Sequence, residues 1–432
     1  MNCGFYEREI TPPIGTELPG QYDQRVSTGV KDRLYAKAAV FGDGSTLAAL
    51  LVLDAVDVPE EFCEPVFARV EALTGLTKED LVICATHTHQ GIPVGEAIGC
   101  RPDPDYLREL GRIAADCVLL AVRRMQPCSL HFAVGQVEGI SFVRDYLCED
   151  GTVRTNPSRS LKLIRSYSEP DTDLPALYVQ AEDGSLLGVL YGFACHQDCV
   201  GKTEFTGDYS SEVSRQIKAH YGQDAVSVYL TAPCGDINNI DFLHDWYRPN
   251  YLEMGRRIAA ELIRTQAEAE PVREQGIRLC REQVACRYRR ASAELIAQAE
   301  ESIRTGQKIP HAMLAGTRYA ELVLQYERQR EEEGKPEREL PVQVFRLGDL
   351  IVYALPGEFY HALGARLKAA AGGKCLIATL TAGDCGYLAT PEMYETYVYP
   401  AQLCDGSMFM PETGDLLADR AAAMARSLLE TE

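Results

Sequence analysis

The sequence predicts an α/β fold: a multilayer mixed-sheet domain with an inserted charged helical hairpin. Three observations support this prediction. Apolar runs of strand length recur along the chain, amphipathic helical stretches separate them, and residues 290–338 are charged and helix-prone. Because no internal repeat or low-complexity linker interrupts the pattern, we expect one domain over residues 1–432, with residues 290–338 as an insertion within it.

The first half of the chain alternates strands and helices. A segment punctuated by glycine and proline leads to strands near Ala36–Phe41 and Leu47–Leu53. A helix over Glu60–Leu73 and a strand over Asp80–Ala85 then make a βαβ-like unit. The elements expected next are a helix over Asp105–Met125, a strand over Leu130–Val134, a hairpin over Ala176–Cys195 that turns at Glu182–Gly184, a helix over Tyr209–Tyr221, a strand over Ala225–Thr231 and a helix over Tyr251–Glu268.

The second half begins with the charged segment. Ser292–Arg304 and Thr317–Glu333 predict two helices, and the Glu-Glu-Glu run in the second is typical of a solvated helix face. This helical hairpin could also serve as a lid or an oligomer contact. The elements expected after it are strands over Val342–Phe345 and Ile351–Leu355, a helix over Phe359–Ala371, a strand over Leu376–Leu380 and a final helix over Leu416–Leu429.

Charge and composition exclude several functional classes. The 432 residues carry a formal net charge of −20, which argues against nucleic acid and anionic membrane surfaces as partners. No window approaches 18 uninterrupted apolar residues, and the first residues lack the pattern of a secretory signal. The 15 cysteines are odd in number and lie mostly in apolar runs, which indicates reduced thiols. We therefore expect a cytoplasmic protein without stable membrane association, a small-molecule substrate and, as an open alternative, a homo-oligomer.

Two histidines follow the predicted strand Asp80–Ala85. In extended backbone, residues i and i+2 point to the same side, so His87 and His89 could reach one cavity at the carboxyl end of the strand. Neutral imidazole is both a common metal ligand and a suitable group for proton transfer near neutral pH. One histidine could bind a metal while the other handles a proton. The alternative, two polar residues that cap a loop, stays open for an isolated His-x-His pattern.

Further segments share this character, because each is an apolar run that ends in polar residues. With them, the chain resembles the neutral/alkaline non-lysosomal ceramidase family in its N-terminal catalytic domain. The matching segments occur in the order of the family: Glu9–Gly15 and Gly29–Ala38, Thr86-His87-Thr88-His89, Phe193-Ala194-Cys195-His196, Gly235-Asp236-Ile237, and Gly386-Tyr387 through Tyr394. The resemblance covers most of the chain except residues 290–338.

The resemblance implies a ceramidase-like zinc hydrolase. The ligands of the Zn²⁺ ion would be His87, His196, Glu358 and Tyr387. Such a mixed nitrogen and oxygen shell leaves room for a water, as catalytic zinc sites do, and zinc lowers the pKa of that water to about 7. For a lone tyrosine or glutamate at a strand end, the alternative is an ordinary core or surface residue.

The resemblance also implies roles around the metal. His89 would be the acid/base, Arg144 would stabilise the oxyanion or polarise the substrate carbonyl, and Tyr399 would be a further active-site tyrosine. Arg144 could equally be a surface residue paired with Asp145. Asp208 and Asp236 are candidates for orienting histidine N–H groups, and Asp208 could instead be only a helix N-cap.

Departures from the family pattern refine the expected function. Asn238 stands where the family loop usually carries serine, so a metal-bound hydroxide fits better than a nucleophilic serine. We expect a metal-dependent amidohydrolase (amidase) that cleaves a linear N-acyl amide, or an ester, on a small soluble substrate such as an N-acylated amino sugar or amino acid. The alternatives are a neutral ceramidase that hydrolyses N-acyl sphingoid bases and a non-catalytic metal- or ligand-binding homologue.

Overall fold

The computed structural model describes residues 1–21, 23–95, 100–273 and 276–430. The strands in this part of the chain are β1 (Asn2–Glu9), β2 (Glu17–Leu18), β3 (Arg25–Val26), β4 (Gly29–Val30), β5 (Tyr35–Gly42), β6 (Leu47–Leu53), β7 (Leu81–Ala85), β8 (Gln126–Gln136), β9 (Phe142–Val143), β10 (Asp145–Cys148), β11 (Val153–Thr155), β12 (Leu163–Ser166), β13 (Asp173–Ala181), β14 (Leu186–Phe193), β15 (Glu204–Phe205), β16 (Val226–Thr231), β17 (Ile237–Asn238), β18 (Glu270–Pro271), β19 (Ile277–Arg287), β20 (Glu337–Leu347), β21 (Leu350–Ala354), β22 (Glu358–Phe359), β23 (Cys375–Ala378) and β24 (Tyr387–Leu388). The α-helices are α1 (Glu60–Thr74), α2 (Pro104–Arg123), α3 (Asp208–Tyr221), α4 (Tyr251–Gln266), α5 (Ala293–Thr305), α6 (Arg318–Glu333), α7 (His361–Ala370) and α8 (Thr413–Glu430).

The predicted helices and strands are present with small shifts at their ends, and the mixed α/β fold class is confirmed. The sequence analysis missed β1, the β10–β12 sheet and β19. Strand β19 was missed because its outward positions carry charged residues and only its ends are fully buried. Its pairing with β20, from Ile277 opposite Leu347 to Arg287 opposite Glu337, stabilises the extended conformation that the local sequence pattern does not predict.

Two mixed sheets form the centre of the fold. The larger has the strand order β16-β14-β13-β8-β1-β5-β6-β7, with β18 also paired to β8, and the smaller has the order β19-β20-β21-β23. In the larger sheet, the pairs at the two edges, β14 with β16 and β6 with β7, are parallel, whereas the pairs between them are antiparallel. In the smaller sheet only β21 and β23 run parallel.

Alternation of side chains along each strand builds four layers. In β6, Leu50 and Val52 face the smaller sheet and pack in the cluster that contains Phe345 and Val352. Leu51, on the opposite face of β6, packs in the cluster of α1 and α2. Helices α3 and α4 cover the other half of the larger sheet, and α7 and α8 cover the outer face of the smaller one. The arrangement is helices, sheet, sheet, helices.

The charged segment lies between two adjacent strands. Helices α5 and α6 connect β19 to β20, and they enclose a small apolar cluster of their own that includes Ala299, Tyr319 and Val323. The hydroxyl of Tyr326 donates to the backbone carbonyl of Arg289 at 2.9 Å and so joins α6 to the chain that follows β19.

The larger sheet is curled so strongly that its two edge strands approach each other. The hydroxyl of Thr231, at the end of β16, donates to the carbonyl of Ala85, at the end of β7, at 2.9 Å. The chain after β23 joins both strands, because the Thr379 amide donates to the Thr231 carbonyl at 2.8 Å and the Ala85 amide donates to the Leu380 carbonyl at 3.1 Å. The carboxyl ends of β7, β16 and β23 therefore meet.

Two further findings concern the chain as a whole. Across the described residues, none of the helices combines the length and apolar character that crossing a bilayer requires. All fifteen cysteines lie in the described ranges, and each is unpaired.

Candidate metal centre and active-site cavity

The histidines His87 and His196 stand at strand ends and are fixed by backbone carbonyls. His87 follows β7, and its Nδ1 lies 2.8 Å from the carbonyl oxygen of Val56. His196 follows β14, and its Nδ1 lies 2.9 Å from the carbonyl oxygen of Ile237. A carbonyl only accepts, so each Nδ1 carries a proton and, in the neutral form of each ring, Nε2 keeps its lone pair. Both lone pairs are therefore available to a ligand.

The backbone at His87 differs from the expected extended strand. His87 has a φ of +65°, in the left-handed region, so the argument from alternating side chains does not apply to it. The rings of His87 and His89 nevertheless come together, with centroids 4.9 Å apart, and both line one cavity. The loop that follows β7 is held by the loop that follows β14. The His89 amide donates to the Gln197 carbonyl at 3.0 Å, and the Gln197 side-chain amide donates to the Thr86 carbonyl at 2.7 Å.

Glu358 and Tyr387 are brought to the histidines by a short parallel pairing. Strands β22 and β24 place Glu358 directly opposite Tyr387. The Glu358 Oε2 atom lies 3.2 Å from His87 Nε2 and 3.1 Å from His196 Nε2, and the Tyr387 hydroxyl lies 3.2 Å from His196 Nε2. The four side chains that the family resemblance implies as ligands thus converge on one point, although they are spread along the chain from residue 87 to residue 387.

The donor set fits a zinc ion. Two ligand atoms bound about 2.0 Å from a tetrahedral zinc lie about 3.3 Å from each other, close to the separations of 3.1 and 3.2 Å between these donors. The Nε2 atom of His87 and the Oε2 atom of Glu358 are buried and have no hydrogen-bond partner, which leaves them directed at a common centre. One nitrogen from each of His87, His89 and His196 also lies within 4.8 Å of the others, so His89 is an alternative donor.

Electrostatics keep two of these donors, His196 and Glu358, in the form that binds a cation. Burial lowers the pKa of His87, but the Glu358 charge outweighs it and that pKa is raised. Burial, with the Arg144 charge acting in the same direction, lowers the pKa of His196 to about 3. Burial raises the pKa of Glu358, but the neighbouring histidines outweigh it and hold that pKa well below its usual value. Burial also raises the pKa of Tyr387 above its usual value, so its phenol stays protonated unless a bound cation displaces the proton.

Arg144 and Tyr399 line the same cavity. Arg144 is only 7% exposed, its amide donates to the Asp236 carbonyl at 2.8 Å, and its guanidinium stands 5.1 Å from the centre of the Tyr387 ring. The alternative of a surface residue paired with Asp145 is wrong, because the Asp145 carboxylate accepts from the hydroxyls of Thr155 and Tyr360 instead. The ring of Tyr399 packs edge-on against that of Tyr387, with centroids 4.7 Å apart.

Asp208 and Asp236 do not orient His87, His89 or His196, so this expectation is wrong. Asp208 accepts from the backbone amides of Cys199 and Tyr209 and so holds the loop after His196; burial raises its pKa to about 6. It is not an N-cap, since α3 begins with Asp208 itself after Gly207. Asp236 does hold a histidine, but this is His361, whose Nδ1 lies 2.6 Å from Asp236 Oδ2. Backbone carbonyls fix the candidate ligands instead.

Asn238 is part of the loop beside the site. Its side-chain amide donates to Asn156 Oδ1 at 2.9 Å, and its carbonyl oxygen accepts from the Ile240 amide at 2.9 Å. Asn156, and not Asn238, lines the cavity. Asn238 therefore supports a wall residue.

The cavity has a volume of about 420 Å³ and includes residues that the sequence analysis did not assign to the site. Among them are four aspartates and a methionine from the chain between α5 and α6: Asp57, Asp198, Asp384, Asp405 and Met313. Burial and then the charge of Asp384 raise the pKa of Asp57 to about 7, and burial raises the pKa of Asp384 to about 6. Their position in the sequence could have marked two of them as candidates, since Asp57 and Asp384 each follow the end of a predicted strand by a few residues.

Comparisons with known proteins identify the fold. No family model and no curated protein sequence matches the chain. Among solved structures, the neutral ceramidase from Pseudomonas aeruginosa superposes with a TM-score of 0.76 at 18% identity, over 99% of this chain and 74% of that one. A ceramidase complexed with C2 superposes with a TM-score of 0.75 at 18% identity, over 99% of this chain and 75% of that one. The chain has the neutral ceramidase fold.

Proposed function

We propose that the chain is a zinc-dependent hydrolase that cleaves a linear N-acyl amide bond in a small soluble substrate. The observation that carries this proposal is the convergence of His87, His196, Glu358 and Tyr387 on one point, three of which line the cavity. Two groups suited to acyl transfer, His89 and Arg144, line the same cavity. The likeness of the fold to solved ceramidases, which act on an amide, supports the reaction class.

The chain's own residues supply binding and proton transfer. The guanidinium of Arg144 can bind the acyl oxygen, since its Nε has no partner and its charge is permanent. Burial lowers the pKa of His89 to about 4, so its imidazole is neutral at pH 7 and can take a proton from water and deliver it to the leaving nitrogen. A zinc ion held by the four donors would activate a water and polarise the substrate carbonyl.

The proposal of a small soluble substrate rests on the walls of the cavity. Its volume of about 420 Å³ suits a compact ligand. Met313, from the chain between α5 and α6, lines it, and its amide donates to the Gln402 side-chain oxygen at 2.9 Å, which ties this segment to the cavity wall. The second candidate is a ceramidase that acts on N-acyl sphingoid bases, and the similarity of the fold to solved ceramidases favours it. A homologue that binds metal without turnover is the third.

The deciding experiment combines metal analysis with a side-by-side assay. Protein purified without added metal should hold one zinc per chain, and zinc-loaded protein should hydrolyse N-acetyl amino sugars or N-acyl amino acids faster than a fluorescent ceramide in neutral micelles. His89→Ala should abolish turnover, and His220→Ala is the matched control, because His220 is exposed at the end of α3. Ceramide turnover well above all soluble amides would select the second candidate. Zinc-dependent stability without any turnover would select the third.

We also propose a cytoplasmic location. The support is the unpaired state of all fifteen cysteines, because reduced thiols are typical of a reducing compartment. Thiol labelling of freshly lysed cells in denaturant, without reductant, should modify fifteen cysteines per chain. Labelling of markedly fewer would argue for an oxidising compartment.

A further inference from the structure

The active-site cavity carries an excess of negative charge. Its charged lining consists of five carboxylates and a single guanidinium: Asp57, Asp198, Glu358, Asp384 and Asp405 against Arg144. Glu358 belongs to the candidate metal donors, which leaves four aspartates around the remaining space. Even if Asp57 and Asp384 share one proton, three of these four charges remain.

None of these four aspartates forms a salt bridge among the described residues, and Arg338, Arg330 and Arg25 act on Asp384, Asp405 and Asp198 only at longer range. Within the described ranges, no lysine or arginine nitrogen lies within 4 Å of a carboxylate oxygen of the four, although such pairs are common elsewhere on the chain. Arg338 and Arg248 contact only the backbone carbonyls of Asp384 and Asp198. The Asp198 carboxylate accepts from the Gln21 side-chain amide at 3.0 Å, and among the described residues the Asp384 carboxylate accepts only from the Gly386 amide at 3.4 Å. No hydrogen bond to the side chain of Asp57 or Asp405 occurs among the described residues.

A second feature marks this space as a ligand site. Arg144 lines the cavity with only 7% of its surface exposed, and its Nε is buried without a hydrogen-bond partner. Both ring nitrogens of His89 are buried and unpartnered as well. One part of the cavity thus offers unused donors for an acyl oxygen, and the rest offers carboxylates for a positively charged group.

We propose that the substrate is an N-acylated amine whose amine half carries a further positive charge, such as a monoacylated diamine or an amino sugar with a free amino group. This inference rests on the proposed function. In the reaction, the oxygen of water bonds to the acyl carbon, the carbon–nitrogen bond breaks and the nitrogen leaves with a proton, so the products are a carboxylate and an ammonium. The aspartates would bind both the positively charged group that the amine half already carries and the ammonium that forms when the amide is cleaved. An anionic amine half, such as that of an N-acyl amino acid, would be repelled.

The test uses three acetamides of equal length that differ in terminal charge: N-acetyl-1,4-diaminobutane, N-acetyl-4-aminobutanol and N-acetyl-4-aminobutyrate. With zinc-loaded protein, kcat/KM should fall in that order, by about tenfold or more at each step. Competition binding of the three free amines should give the same order without depending on turnover. Asp57→Asn and Asp405→Asn should each reduce the differences in kcat/KM between the three compounds. Asp224→Asn should leave these differences unchanged, because Asp224 is exposed at the opposite end of β16.

The outcomes separate this inference from the proposed function. Hydrolysis with the neutral or anionic compound preferred would overturn the inference and leave the amidase standing. Cation-selective binding without hydrolysis of any amide would support the charge preference and defeat the amidase. Loss of zinc from Asp57→Asn or Asp405→Asn would mean that these carboxylates hold metal, which also overturns the inference.

Discussion

Gly20 controls the position of His89, and replacing it with alanine tests the role of that histidine. A Cβ atom built on Gly20 would lie 2.8 Å from His89 Nδ1 and 2.9 Å from His89 Cγ. Ordinary contact begins near 3.4 Å, so the ring must retreat by about 0.6 Å. A misplacement approaching 1 Å of a group that handles protons costs about 10²-fold in rate. We therefore expect Gly20→Ala to lower kcat/KM by about that factor and to leave the zinc content unchanged.

Gly15→Ala is the matched control. Gly15 has a φ of +98° and Gly20 a φ of +87°, so alanine at either position carries a similar left-handed penalty of about 1–2 kcal/mol in the free energy of unfolding. A Cβ atom at Gly15, however, meets nothing within 4 Å. Denaturant unfolding should show comparable destabilisation of the two variants. Steady-state kinetics should show a loss of rate in Gly20→Ala and none in Gly15→Ala. Equal activity of the two variants would refute the reasoning that the position of His89 limits the reaction.

Three further predictions follow from the site and its supports. His89→Ala should lose about 10²-fold or more in turnover and keep its zinc, whereas His87→Ala should lose both turnover and zinc. Equal zinc content in the two variants would contradict the assignment of His87 as a metal ligand and His89 as the acid/base. Asn238→Ala should lower activity only moderately, because Asn238 supports the wall through Asn156 and is no nucleophile; a covalent acyl-enzyme on residues 235–239 would contradict this. Burial lowers the pKa of His361, but the contact with Asp236 outweighs it, so the pKa is raised. The pair should therefore stabilise the fold fully below pH ~6.5, and this contribution should fall as the pH rises through the raised pKa. His361→Gln should remove this pH dependence from the free energy of unfolding measured by denaturation.

Much of the secondary structure could be predicted because it depends on local patterns. The helix over residues 60–74 and the hairpin over residues 173–193 follow from apolar periodicity and from turn residues, which act within a few positions of the chain. Strand β19 escaped prediction because its order comes from pairing with β20, across a helical segment of about fifty residues.

The residues of the candidate site were recognised from motifs, but their physical supports were not. The sequence suggested carboxylates as partners of the histidines, and the structure uses the carbonyls of Val56 and Ile237. A backbone carbonyl is present at every residue, so sequence carries no signal for which one is chosen. The aspartates of the cavity were missed for a related reason, since an aspartate after a strand is usually solvated and only the enclosing walls make Asp57 or Asp405 part of a site.

The sequence by itself determined the α/β class, the net charge of −20, the charged helical segment and the chemically competent side chains His87, His89, His196, Glu358 and Tyr387. Only the tertiary structure decided that these side chains converge on one point. They follow β7, β14, β21 and β23, and β7 and β14 lie near opposite edges of the larger sheet. Their carboxyl ends meet because the sheet curls until Thr231 contacts Ala85 and because the smaller sheet packs against it. Curl and packing arise from the summed contacts of many distant residues, which no local pattern encodes.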